Sequence, residues 1–166
     1  MIAMAAAKYQ WWQLWGNAAQ ITSALVAIFG FAAVLLQLNE IRTNNRAASA
    51  RQVYLAYADL EFKNPQLADP DYDKIKTGDR DTRNRYESFV SILLYACDEA
   101  LSAFSAQSEW RNSCQYDLKA HLPFLCEKMS ADPAFLSAFS TTTQDFVKSV
   151  MSRSGVTSPG CRAKPA

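Results

Sequence analysis

The chain has 166 residues, of which 49% are hydrophobic and 20% charged, and a formal net charge of +1. That length holds one modest domain plus an anchor, and a near-neutral chain without a clustered basic face excludes nucleic acid as an expected partner. Five glycines argue against an all-β fold built on tight turns, and four cysteines (Cys97, Cys114, Cys126, Cys161) with no CxxC or close histidine give no metal-ligand spacing.

Residues 1–17 form a short aromatic segment. Tyr9, Trp11, Trp12 and Trp15 are placed as an interfacial belt would be, with an apolar ring in lipid and a polar edge toward water. Residues 18–38 carry no charge, and 21 residues at helical rise cover roughly 32 Å, the thickness of a hydrocarbon core. A transmembrane helix is predicted there. The run leaves through "LLQLNEI" with no A-x-A-like cleavage site, so the segment is expected to be retained rather than removed as a signal peptide. Small residues at Ala19, Ser23, Ala27, Gly30 and Ala33 fall on one face, which would let a second helix approach closely. Lys8 precedes the span, whereas Arg42, Arg46 and Arg51 follow it, a bias that favours a cytoplasmic carboxy-terminal portion. Reduced, structural thiols would agree with that side.

From Asn39 to Asn64 there is neither glycine nor proline. Residues 39–64 read as a juxtamembrane stalk, with Ile41, Ala48, Leu55 and Phe62 at sevens and Val53, Tyr57 and Leu60 in support. The stalk ends near Lys63, because Pro65 disfavours helical geometry at Asn64. Residues 65–153 are predicted to be a small antiparallel helical bundle. Asn64-Pro65 opens the short helix "PQLA", and "DPDYDKIKTGD" reads as a loop. A helix over 82–106 buries Tyr86, Phe89, Val90, Leu93, Cys97, Ala100, Leu101 and Phe104 at 3–4 spacing. Ser108 is expected to cap the next helix, with Trp110, Cys114, Leu118 and Leu122 inward. Pro123 restarts it, Asp132-Pro133 opens "AFLSAF", and Thr141 with Gln144 makes a capping-box pattern before the last helix. Residues 154–166 are expected to be a disordered tail. The fold class is all-α.

Catalytic constellations are sparse. Asp69, Asp71 and Asp73 alternate like a calcium loop, but Lys74 replaces the turn glycine and Arg80 the bidentate glutamate, so a solvated acidic loop is expected. His121 is the single histidine. Cys114 lies two helical turns before it, about 10 Å of rise, too far for a nucleophile–base pair, and a capping or hydrogen-bonding role is expected. Asp98 sits inside an apolar helix, either pairing with Arg51 or Arg111 or facing a ligand cleft.

The exit "LNEIRTNNRAASARQVYLAYADL", then "NPQLAD", "YESFVSILLYACDEAL", "EWR" and "HLPFL", resembles a set of uncharacterised bacterial single-pass membrane proteins with a small carboxy-terminal helical domain. The resemblance covers roughly residues 20–150, and its motifs are packing and capping patterns. It implies an all-helical fold and lends no site, activity or cofactor.

These readings predict a non-enzymatic inner-membrane protein, needing no metal or cofactor, whose domain binds a protein partner or stabilises a membrane assembly. Its partners would be the lipid bilayer and a protein, or a second copy through the transmembrane helix. Tyr54 and Tyr57 are the candidate contact residues, as exposed aromatics. The first alternative is a membrane-anchored sensor or effector, with a small-ligand pocket using Asp98 and lined by Tyr86, Phe89 and Trp110. The second is a hydrolase involving Asp98 or His121.

Overall fold

Between Met1 and Asn64 no proline interrupts the chain, and good helix formers dominate, so nothing breaks a helix until Pro65 removes a backbone donor. In the computed structural model a single helix, α1, runs over Ile2–Lys63. The structure describes residues 2–155, with side chains from residue 22 onward. The side chains of Trp11, Trp12, Trp15 and Ala19, and residues 156–166 of the tail, lie outside the described residues.

The chain divides into two units, residues 1–44 and 45–166. In the first, every described side chain is exposed and the described backbone is helical. Its 18-residue apolar window has a mean hydropathy of 1.9 and none of it is buried.

The second unit is a helical bundle that includes the last part of α1. Ala50 and Tyr57 are fully buried, and Val53, Tyr54 and Leu60 pack beside the core. Leu55 and Phe62 stand 69% and 86% exposed. The inward face of α1 is therefore the one bearing Ala50, Val53, Tyr57 and Leu60, and the apolar positions at sevens point away from it. Packing begins at Ala50, so the domain includes residues of the predicted stalk.

Helix α2 (Pro65–Ala68) starts with Pro65 at its first position, as expected, but Asn64 makes no side-chain cap to it. Asn64 Nδ2 instead donates to Leu60 O at 2.9 Å, satisfying a carbonyl at the end of α1. The expected loop contains a helix, α3 (Tyr72–Thr77). Asp71 accepts from Lys74 N and caps it, and Ile75 is buried. Six residues with one buried side chain make too short a pattern for periodicity to reveal. Asp79 accepts from Thr82 N at 2.7 Å and starts α4 (Arg80–Ala103) two residues earlier than expected.

The seven expected core positions within α4 are buried, along with Leu94 and Ala96, and the eighth, Phe104, is buried at the residue that ends the helix. Helix α5 (Ser108–Lys119) has Gln107, not Ser108, in the cap position. Helix α6 (Leu122–Ala131) restarts at Pro123 behind His121, and a 3-10 turn covers Phe135–Ala138. In α7 (Thr141–Arg153) the cap is Ser140, one residue before the expected Thr141, and Gln144 Nε2 donates back to Phe139 O at 3.0 Å. No strand occurs among the described residues.

A disulfide joins Cys97 on α4 to Cys114 on α5, with their Cα atoms 5.7 Å apart. Cys126 on α6 is also disulfide-bonded, and no described cysteine is a free thiol. The expectation of reduced thiols is corrected: both core cysteines of consecutive helices meet across the α4–α5 contact. By loop closure alone, a bond across 17 residues contributes about 3 kcal/mol.

Candidate functional site

Two surfaces bear on function, one on each unit. The first is the apolar stretch of α1. Nine large aliphatic or aromatic side chains between Leu25 and Leu38 are 45–73% exposed, including Phe29 and Leu36 above 70%. Moving them out of water is worth on the order of 15 kcal/mol, as much as the whole stability of a typical domain. The helix is long and apolar enough to cross a membrane. Ser23, Ala27 and Ala33 are exposed too, and a Cβ added to Gly30 would meet nothing within 4 Å. This stretch of helix is open on every side.

The second surface lies where α5 meets the end of α1. Tyr54 Oη donates to Asp117 Oδ2 at 2.5 Å. Trp110 stands edge-on to Tyr54, with ring centroids 5.2 Å apart, and stacks flat on Phe104 at 4.8 Å and 7°. Arg51 lies over the same Phe104 ring at 5.3 Å. Burial pushes the Asp117 carboxyl above its usual range, and the Tyr54 hydroxyl partly offsets this by bonding the charged form. Burial and then the Asp117 charge raise Glu61. Tyr54 and Tyr57 are both pushed up, first by burial and then by Asp117. The expectation of exposed tyrosines is thus corrected. Tyr57 is 1% exposed and packs against Phe89, and Tyr54 is half-buried and holds α1 to α5.

Asp98 pairs with neither arginine. Its Oδ1 accepts from Ser140 N at 3.1 Å and from Ser140 Oγ at 2.5 Å, while Arg51 and Arg111 sit over the rings of Phe104 and Phe146. The carboxylate faces the amino terminus of α7, where the helix dipole favours negative charge. This is a packing role. The expected pocket of Tyr86, Phe89 and Trp110 is not formed: Tyr86 and Phe89 are core residues at 1–2% exposure, and Trp110 is occupied by Phe104 and Tyr54.

His121 occupies the cap position of α6 without a side-chain cap bond. Fully buried, its Nδ1 is 2.8 Å from Tyr86 Oη, while Nε2 has no partner. Burial lowers its pKa to about 4, against a small opposing effect of Asp69, so the ring is neutral at pH 7. Tyr86 Oη and Nδ1 share one hydrogen bond, whose direction follows the tautomer of the neutral ring.

A cleft of about 300 Å³ runs beside this pair, floored by Tyr72, Tyr86 and Phe124. Two cross-helix ion pairs also line it, Lys76–Glu127 and Lys128–Glu87, each at 2.6 Å. Among the described residues no three His, Cys, Asp or Glu side chains converge as metal ligands. Sequence reasoning missed Asp117 and Ser140, because each matters through a partner 42 or more residues away. Compared with protein-family models, curated proteins and solved structures, the chain has no significant match.

Proposed function

We propose that the chain is a membrane-anchored helical interaction protein, with α1 lodged in a bilayer and the bundle binding a protein partner beside it. One observation carries this reading. The apolar window of α1 is wholly unburied, and the bundle has its own core without it. A core helix of a soluble protein would show the opposite. The expected aromatic belt and the absence of a cleavage pattern at the exit of the run support retention in lipid.

Within the bundle, the partner-facing surface is the outer side of α1. Leu55 and Phe62 lie two turns apart on the side opposite the core and are among its most exposed apolar residues. They take the place of Tyr54 and Tyr57 as contact candidates. A binding role fits better than a catalytic one, since Asp98 and His121, the groups singled out for chemistry, hold helices together. The small-ligand alternative would have to use the cleft floored by Tyr72, Tyr86 and Phe124, without Phe89 or Trp110.

The test uses the full chain in detergent. The double substitution Leu55→Glu and Phe62→Glu should leave the helical circular-dichroism signal and melting temperature within a degree or two of the parent. The same change should reduce recovery of any stoichiometric co-purifying protein at least tenfold. Equal recovery from both chains would remove this face from the proposal. A parent chain washed from membranes by alkaline carbonate would remove the anchor.

A further inference from the structure

We infer that the helical domain lies on the oxidising side of the membrane, away from the cytoplasm, opposite to the side that flanking charge favours. This rests on the membrane-anchor reading above.

Cys97 and Cys114 are both fully buried and bonded, and Cys126 is bonded as well. Thiols sealed in a folded core are out of reach of solvent oxidants. Their bond therefore forms while the chain is folding, in whatever compartment folding takes place. Making it removes two protons and two electrons from the two thiols. The acceptor is a protein disulfide of the compartment's oxidising machinery, which leaves as a dithiol. The cytoplasm keeps thiol pairs reduced and supplies no such acceptor, whereas the exoplasmic face does.

The charge bias is the weaker of the two signals. Positive flanks orient a span chiefly through short loops, up to about 60 residues, while long domains cross largely regardless of charge. The portion after the span is residues 39–166, well beyond that limit. The arginines at 42, 46 and 51 lie within the flank where charge still counts and oppose this side, so the inference stands on the disulfides.

The experiment expresses the full chain in bacterial cells and has three readouts. Carbonate extraction of membranes reports the anchor. Protease added to intact spheroplasts reports the side. Acid quenching, alkylation and non-reducing trypsin digestion report the bond, because cleavage after Arg111 leaves the Cys97 and Cys114 peptides joined only by sulfur. The expected result is a carbonate-resistant chain whose domain is digested in intact spheroplasts and whose two peptides separate only on reduction. Protection of the domain until the cells are lysed would overturn the inference, as would recovery of Cys97 and Cys114 as separate alkylated peptides. A carbonate-soluble chain with joined peptides would sink the anchor while still placing the domain in an oxidising compartment.

Discussion

His121 shows how a lone titratable side chain is used as packing. With its pKa lowered to about 4 inside the core, against about 6.5 in an unfolded chain, the unfolded state binds more protons between those values. Stability therefore falls as pH drops through that window and levels off below it. Integrated from pH 7 to pH 5, the loss is about 2 kcal/mol. Asp117 and Glu61 act with the opposite sign, because their raised pKa values let the folded state hold protons as pH falls. The imidazole's share is isolated by comparison with His121→Leu. That variant should be less stable at pH 7 by about 1–3 kcal/mol, since Tyr86 Oη loses its partner, but should lose the downward slope between pH 6.5 and pH 4. Urea unfolding at four pH values measures both. Parallel slopes for the two chains would show that His121 titrates normally.

Among the elements, the helices with long periodic faces were legible in the sequence and the capping chemistry was not. α4 announced its seven predicted buried positions, with Phe104 just past its end, because 24 residues repeat one pattern. α3 hid, because six residues hold only one buried side chain. α1 was legible as a helix, yet its inward face was misread. Ile41, Leu55 and Phe62 keep a period of seven but are exposed, and the inward face is set by tertiary partners, Phe89 on α4 for Tyr57 and Trp110 and Asp117 on α5 for Tyr54. Asp98 was legible as unusual and not as a cap partner, because Ser140 is 42 residues away. That contact yields an element-scale prediction. Asp98→Ala removes an acceptor for Ser140 N and Oγ, loosening the hydroxyl that accepts from Thr143 N, so α7 should fray from its start. The expected cost is about 2 kcal/mol. Asp98→Asn keeps an oxygen in place and should cost less than half of that. Thermal melts of the three chains rank them, and equal losses for both variants would point to the charge rather than the cap.

For the whole molecule, the division between Asn44 and Asn45 separates two ways of satisfying apolar surface. Before it, large apolar side chains are exposed on one helix that is long and apolar enough to cross a membrane. After it, Tyr57, Phe89, Leu94, Phe146 and Val147 are all nearly or fully buried in one cluster, against which Val53 and Tyr54 pack, and no described residue before Asn45 takes part in it. The core should therefore form without the span. A chain of residues 45–166, exported so that its disulfides form, is expected to remain soluble without detergent and to unfold in one cooperative transition. Exposed large apolar groups remain on it at Leu55, Phe62, Ile92, Tyr95 and Tyr116, so weak association at high concentration is compatible with folding. Reduction should lower its midpoint, because the Cys97–Cys114 bond contributes about 3 kcal/mol through the unfolded state. Sedimentation and denaturant titration, each with and without reductant, read out the result. A truncated chain that is unfolded even when oxidised would mean that residues before Asn45 take part in the core.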